Sequence, residues 1–343
     1  TIGFYMFQTS LKKVVEGGSL SRKEANLAMG EVMEGRVSPT LLASFLTALR
    51  IKGETVEEIL GSAEAMRKRV VSVKTGRLKT VLDTCGTGGD GKGTFNFSTL
   101  SAIVAAACGV PVAKHGNRAA SSKCGSSDLL SELGVQIELE KRRAEASLRE
   151  NGITYMHAPA FHPAMKFAGP VRKELGFRTI FNLLGPLSNP ASAPVQTIGV
   201  FHPDLVDLFA RVLKELGVRS AFTFHGAGGL DEVSLLGPTR AAKLRGGKVS
   251  RVTFSPSQAG LKKARLKDLL GGSPKNNAEI ARNLLRGKKD AYRDGVCFST
   301  GVALLAADVE KTVRAGVKRA QGAIDSGEAL RKLESWAAWT RKG

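Results

Sequence analysis

Residues 79–133 read KTVLDTCGTGGDGKGTFNFSTLSAIVAAACGVPVAKHGNRAASSKCGSSDLLSEL, and their layout decides the fold. The same grammar occurs twice. Lys79–Asp83 alternates as a short strand and runs into the glycine loop Gly86-Thr87-Gly88-Gly89-Asp90-Gly91. Thr94–Thr99 follows, then an alanine-rich helix near Leu100–Cys108. A second strand, Val110–Ala113, leads into Lys114-His115-Gly116-Asn117-Arg118, a Ser/Gly-rich bend and a helix starting near Ser126. Strand, loop, helix repeated in this way predicts a parallel sheet, with ligands held by loops at the carboxyl ends of its strands.

The loop chemistry suits phosphate. Glycines let backbone N–H groups turn toward an anion, and a helix start adds its positive end. Thr94, Ser98, Thr99, Ser121, Ser122 and Ser126 are small hydroxyl donors, and Lys114 and Arg118 bring full charge. A tight strand-to-helix turn would need glycine for its backbone angles alone. Two loops in register, the second carrying Lys and Arg, favour phosphate. Neither loop is of the Walker type, and no dinucleotide-type GxGxxG is present.

Gly86–Asp90 (GTGGD), Phe95–Thr99 (FNFST), Lys114–Asp128 (KHGNRAASSKCGSSD) and Val171–Pro190 (VRKELGFRTIFNLLGPLSNP) together resemble the anthranilate phosphoribosyltransferases, and the resemblance runs from about residue 10 to at least 305. It implies an α/β fold of the nucleoside-phosphorylase type: a small all-helical N-terminal domain and a larger α/β domain with a mainly parallel sheet, a hinge and cleft between them. The helical domain would take residues 1–75 and about 163–190 and carry a homodimer contact. The α/β domain would take 76–162 and about 191–343.

The implied reaction moves the phosphoribosyl group of 5-phosphoribosyl 1-diphosphate onto the amine of anthranilate, a step of tryptophan biosynthesis. The family pattern assigns the donor to Gly86, Gly89, Asp90, Thr94, Asn96, Phe97, Ser98 and Thr99. From the second loop it adds Lys114, His115, Gly116, Asn117, Arg118, Ala119, Ala120, Ser121, Ser122 and Ser126. Anthranilate is expected at Gly86, Asn117, His162 and Arg172, with His162 as a wall rather than a base. Two Mg2+ ions are expected on Asp231 and Glu232, with Ser98 helping at one. No general base is expected; Lys114 and Arg172 would act electrostatically. Asp90 cannot attract phosphate, so a ribose-hydroxyl or loop-bracing role suits it.

The residues alone say less about several of these positions. A guanidinium fork matches a carboxylate with two parallel bonds, but an isolated Arg172 would ordinarily be a surface residue. Asp231 and Glu232 follow a glycine loop, Gly226–Gly229, at a strand end, where oxygen ligands can hold a hard cation, although an Asp-Glu pair is usually only solvated. The chain departs from the family pattern at Ser299-Thr300-Gly301, where Asn-Ala-Ala is usual. Cys124 and Ser127 stand for the more usual Ser and Ala. These leave acceptor fit and local helix packing open.

The remainder of the chain reads as helices over 9–75, with Ser38-Pro39 opening the third. Strands are expected at Ile153–Ala158, Thr197–Phe201, Ser220–His225 and within 241–255. Val171–Asn189 reads as two short helices broken at Gly176 and at Gly185-Pro186. Pro203–Leu216, residues 275–320 and the tail beyond Gly322 complete the helices.

A chain of 343 residues, 42% hydrophobic, can bury a large core and is expected to form two domains. No apolar run approaches the ~20 residues that span a bilayer, and no signal peptide is read. Cys85, Cys108, Cys124 and Cys297 form no CxxC and no zinc spacing, so a reducing, cytoplasmic setting is expected. The net charge of +20 invites a nucleic-acid partner, since 23 Lys and Arg stand against 9 Asp and Glu from Arg240 onward. Those charges fall at helical spacing without interleaved aromatics, so solvated faces and attraction of a polyanionic substrate are preferred. Two rival functions are weighed. A pyrimidine nucleoside phosphorylase would need one phosphate rather than a diphosphate and metal. A nucleic-acid-binding relative should have lost the two loops.

Overall fold

The computed structural model describes residues 2–119 and 123–342. It divides into two compact units, Thr1–Ser72 with Pro159–Pro190, and Val73–Ala158 with Ala191–Gly343.

The first unit is helical. Its first four helices are α1 (Ile2–Val15), α2 (Arg22–Met33), α3 (Pro39–Lys52) and α4 (Val56–Arg67). Their starts are written in the sequence. Ser21 and Thr55 each accept the backbone N–H three residues on, from Glu24 and Glu58, whose carboxylates reach back to the cap. Ser38 caps α3 with Pro39 in the first turn. Glu58 is buried because it also accepts from Leu20 N at 2.9 Å and Lys52 Nζ at 2.9 Å. At Gly61 a Cβ would collide with the Arg22 carbonyl, so α2 and α4 meet backbone to backbone. The unit is completed by Gly169–Leu175 and Ile180–Leu187. The break expected at Gly185-Pro186 is absent. Pro186 lies in the last turn of a short helix, and Arg67 Nε donates to the Leu187 carbonyl at 2.7 Å.

The second unit is built on seven strands: β1 (Leu82–Gly86), β2 (Val112–Gly116), β3 (Ile153–His157), β4 (Val195–Gly199), β5 (Ser220–Gly226), β6 (Thr239–Arg245) and β7 (Lys248–Phe254). Their order is β3-β2-β1-β4-β5-β6-β7. The pairs from β3 through β5 are parallel, and β6 and β7 add antiparallel. β1 and β2 lie two to three residues later than the sequence alone suggests. Their carboxyl ends carry the glycine and the charged residues that the alternation pattern assigns to loop. The helix Phe97–Ala107 is buried on almost every side, which its small and apolar residues permit.

From β1 the chain moves outward to β2 and β3, then returns to the other side as β4. The ends of β1 and β4 therefore form a topological switch point, where open α/β sheets bind ligands. Gly86 and Gly199 are register partners at that point. Among the described residues no helix is long and apolar enough to cross a membrane.

Candidate active site

The glycine loop leaves β1 at Gly86. Thr87 N donates to the Gly199 carbonyl at 2.9 Å, and Thr87 Oγ1 accepts from Phe201 N at 3.0 Å. Sequence reasoning did not single out Thr87 or Gly199, because each bond joins residues over a hundred positions apart. Gly88, Gly89, Gly91 and Gly93 have φ of 67°, 76°, 71° and 66°, a region other residues avoid. At Gly88, Gly91 and Gly93 a Cβ would meet nothing within 4 Å, so these glycines serve backbone shape and leave open space above the loop.

Asp231 closes against this loop. Its Oδ2 accepts from Gly88 N at 2.7 Å, and a Cβ on Gly86 would lie 2.6 Å from that oxygen. Glu232 Oε1 accepts from Ser98 N at 3.0 Å. Asp90 braces the same corner, with Oδ1 accepting from Lys92 N at 2.9 Å and Oδ2 from Asp231 N at 3.4 Å. Asp90 and Ser98 are thus brought together with Asp231 and Glu232, from a distant part of the sequence.

The electrostatics of this corner are unbalanced. Burial, then the neighbouring Glu232 and Asp90 charges, raise the Asp231 carboxyl well above its ordinary range. Burial raises Glu232 to about 7, although Ser98 N–H and the Lys114 charge pull the other way. Among the described residues no group of three or more His, Cys, Asp or Glu could hold a metal ion unaided. Two desolvated carboxylates short of positive charge do fit Mg2+, which is usually held by one or two carboxylates with substrate phosphates completing its shell.

The second loop is organised differently. Lys114 is not displayed at the loop. It is 3% exposed on β2, and its ammonium donates to the Thr84 carbonyl on β1. Its charge therefore acts on the carboxylate corner from below. Arg118 is exposed and paired with Asp128 at 3.2 Å. Asp128 also accepts from Ala119 N and Gly125 N, each at 2.9 Å, which draws the two ends of the bend together. His115 is buried, with its N–H on Asp83 Oδ1 at 3.3 Å. Gly116 and Asn117 follow at the end of β2. Ser126 does not present a free hydroxyl proton, because Oγ donates to the Asn117 carbonyl at 3.2 Å. Ala120, Ser121 and Ser122 lie outside the described residues.

Asn96 is held at both ends of its amide: Nδ2 donates to the Cys124 carbonyl at 3.0 Å and Oδ1 accepts from Asn277 Nδ2 at 2.9 Å. Phe97 and Thr99 are buried, Phe97 beneath Gly295, so their side chains face the core rather than a ligand. Thr94 bridges to Leu270. The thiols of Cys85 and Cys124 are buried and pushed up by that burial, Cys124 to about 11, which leaves them inert at neutral pH. The departure at Gly301 has a packing reason. A Cβ there would lie 2.9 Å from the Val313 carbonyl, and Gly316 faces it from the helix Val313–Asp325. Nothing in the structure explains Ser299, whose buried hydroxyl has no partner among the described residues.

In the helical unit, Arg172 lies on Gly169–Leu175 and is half-buried. Its guanidinium stacks 5.2 Å from the centre of the Phe181 ring, and among the described residues it has no carboxylate partner. Burial lowers its pKa, with no anion to oppose that effect. His162 is buried, and burial pushes it down to about 4, so it is neutral at pH 7.

Comparison with known proteins gives these features a context. A model described as glycosyl transferase family, a/b domain, matches residues 78–330, and one described as glycosyl transferase family, helical bundle domain, matches residues 8–70. An anthranilate phosphoribosyltransferase of Pelotomaculum thermopropionicum is 46% identical over 98% of this chain and 97% of its own length. The crystal structure of the enzyme of that name from Thermus thermophilus superposes with a TM-score of 0.91 at 43% identity, covering 97% of this chain and 99% of the other. The one from Saccharomyces cerevisiae, in complex with PRPP and Mg, gives 0.90 at 30% identity, covering 97% of each. Matched in both parts and along nearly its whole length, the chain belongs to the anthranilate phosphoribosyltransferase family of glycosyl transferases.

Proposed function

We propose that the chain transfers the phosphoribosyl group of 5-phosphoribosyl 1-diphosphate to the amine of anthranilate, giving N-(5-phosphoribosyl)anthranilate and diphosphate, as a step of tryptophan biosynthesis. The observation that carries this reading is the corner where half-buried Asp231 and buried Glu232 meet the open glycine loop at the sheet's switch point. One phosphate would need no such carboxylate pair; a diphosphate brought in with its cation does.

The donor's phosphates and ribose lie on the loop Gly86–Thr99 and on the turn Lys114–Arg118. Asp231 and Glu232, with Ser98, would hold Mg2+, two ions on this reading, which when bound would supply positive charge against the departing diphosphate. Lys114 adds a fixed positive charge beneath that corner. Asp90 keeps the loop closed around it.

The acceptor is anthranilate. Its carboxylate is gripped by Arg172, a half-buried guanidinium already oriented by Phe181. Gly86 and Asn117 are the further positions that the family pattern assigns to it. His162, neutral at pH 7, forms a wall. The aromatic amine is itself neutral at that pH because its lone pair is delocalised into the ring. As the bond from C1 to the diphosphate oxygen lengthens, the ribose gains positive charge and the amine nitrogen attacks C1. Once bonded to C1 the nitrogen is positively charged and acidic, and it then gives its proton to water. Positioning and preorganised charge carry the rate.

The working form is a homodimer joined through the helical unit, in the cytoplasm. α1 and α3 support this with an open groove of about 580 Å³ lined by Val14, Val15, Ala43, Thr47 and Ile51. Tyr5, Val15 and Ile51 are 74%, 65% and 82% exposed on the same helices.

The test is loss of anthranilate fluorescence with donor and Mg2+ present. Consumption that needs both supports the reading. Phosphorolysis of a pyrimidine nucleoside, with anthranilate untouched, replaces it.

A further inference from the structure

The second loop rests on three linked hydroxyls. Tyr155, in the middle of β3, is fully buried. Its Oη lies 2.9 Å from Ser126 Oγ and 2.7 Å from Ser127 Oγ. Ser126 Oγ donates to the Asn117 carbonyl at 3.2 Å, and Ser127 N donates to the same carbonyl at 3.2 Å.

The direction of the chain follows from where its protons can go. Ser127 is fully buried, and Tyr155 Oη is its hydroxyl's partner among the described residues. If Tyr155 donated to Ser127, the Ser127 proton would be left without an acceptor, at the cost of a buried unsatisfied donor. One arrangement places all three protons: Ser127 donates to Tyr155, Tyr155 to Ser126, and Ser126 to the Asn117 carbonyl. Burial pushes the Tyr155 phenol up to about 12, so it keeps the proton it gives. The relay also presses on the loop. A Cβ at Gly116 would collide with Ser126 Oγ and lie 2.7 Å from Tyr155 Oη.

We propose that Tyr155 and Ser127 are a positioning pair for donor binding, fixing the Ser126 hydroxyl on the Asn117 carbonyl and so holding the Lys114–Arg118 turn in its binding shape. The pair rests on the reading of that turn as part of the donor cradle. Neither residue touches substrate. Ser126 serves the donor through the backbone it ties down, since its one hydroxyl proton is already committed.

Three chains separate positioning from mere stability: wild type, Tyr155→Phe, and Tyr155→Phe with Ser127→Ala. Tyr155→Phe strands the Ser127 hydroxyl, and Tm should fall by about 2–5 °C. The double variant removes both hydroxyls and leaves an apolar contact, so Tm should return to within about 2 °C of wild type. A purely structural role would then leave nothing to detect. A positioning role predicts that the double variant still shows a KM for 5-phosphoribosyl 1-diphosphate raised about 3–10-fold, the equivalent of one weakened hydrogen bond, with kcat within about twofold. The Ser127 amide should exchange its hydrogen faster in the same variant. A double variant with wild-type KM overturns the positioning role. Unchanged exchange at Ser127 overturns the brace itself, and that readout stands even if the wild type does not consume anthranilate and the functional reading falls.

Discussion

Asp231 and Glu232 in the α/β unit and Arg172 in the helical unit are mirror images in charge. The two carboxylates are desolvated among like charges, with Asp90 close by and Lys114 as partial relief. The guanidinium is desolvated on an aromatic face with no anion among the described residues. A folded protein ordinarily pairs such groups, because an unpaired buried charge is costly. Two uncompensated sites of opposite sign point to two ligands of opposite need. On the proposed reading, one ligand brings a cation, as a metal-chelated diphosphate does, and the other brings a carboxylate, as anthranilate does.

The strongest way to break this comparison is to empty one side of it. Asp231→Ala with Glu232→Ala should lower turnover by about three orders of magnitude or more, the effect expected when charge stabilisation of a leaving group is lost. The fold should survive, since two carboxyls desolvated at cost are removed. Calorimetry should show that Mg2+-dependent donor binding is lost. Unchanged binding would remove these carboxylates from the site.

Arg172→Ala empties the other side. A partly buried bidentate contact is worth on the order of 2–4 kcal/mol, so kcat/KM for anthranilate should fall by about 30- to 1000-fold. KM for the phosphoribosyl donor should barely move. Arg172→Lys should recover only part of the loss, because a point charge cannot form the fork. Steady-state kinetics with each substrate varied gives the answer, and a donor-specific defect would reverse the proposed placing of the substrates.

His162 sharpens the comparison, because the helical unit also buries a second basic group and holds this one neutral. Its pKa is depressed from 6.5 to about 4. The stability linked to this group is therefore complete above pH 6.5 and lost as pH falls toward 4, up to about 3 kcal/mol across that window. His162→Gln should lose less stability than wild type over the same range in chemical denaturation. Parallel pH profiles would mean the histidine is not held neutral.

The smallest effect concerns the charge that belongs to neither site. If the +20 only attracts a polyanion, raising salt should lower kcat/KM for the donor several-fold and leave kcat nearly constant. Submicromolar binding to random duplex DNA near physiological salt would instead point to a nucleic-acid role.

The sequence made parts of this legible because local rules governed them. Ser21, Ser38 and Thr55 cap helices by interactions three residues long, and the doubled strand-loop-helix pattern specifies the parallel sheet. What was illegible depends on distant contacts. Lys114 looks like a loop cation until β1 and β2 pair and bury it against Thr84. Ser126 looks like a phosphate donor until Tyr155 and Asn117 claim its hydroxyl. Gly185-Pro186 looks like a helix break, yet a proline near the end of an eight-residue helix has few bonds to disrupt. Gly199 and Asn277 carry no local motif, and Thr87 is only a spacer within its glycine loop until its partners Gly199 and Phe201 are seen.

The central claim is that one ligand brings the cation and leaving group while the other brings the carboxylate and nucleophile. It is tested most directly by mixing enzyme, anthranilate, 5-phosphoribosyl 1-diphosphate and Mg2+ and measuring both products in one sample. The account predicts diphosphate and N-(5-phosphoribosyl)anthranilate in equal amounts, with neither formed when Mg2+ is chelated. Diphosphate released without loss of anthranilate, or anthranilate consumed at full rate in the presence of chelator, would contradict it.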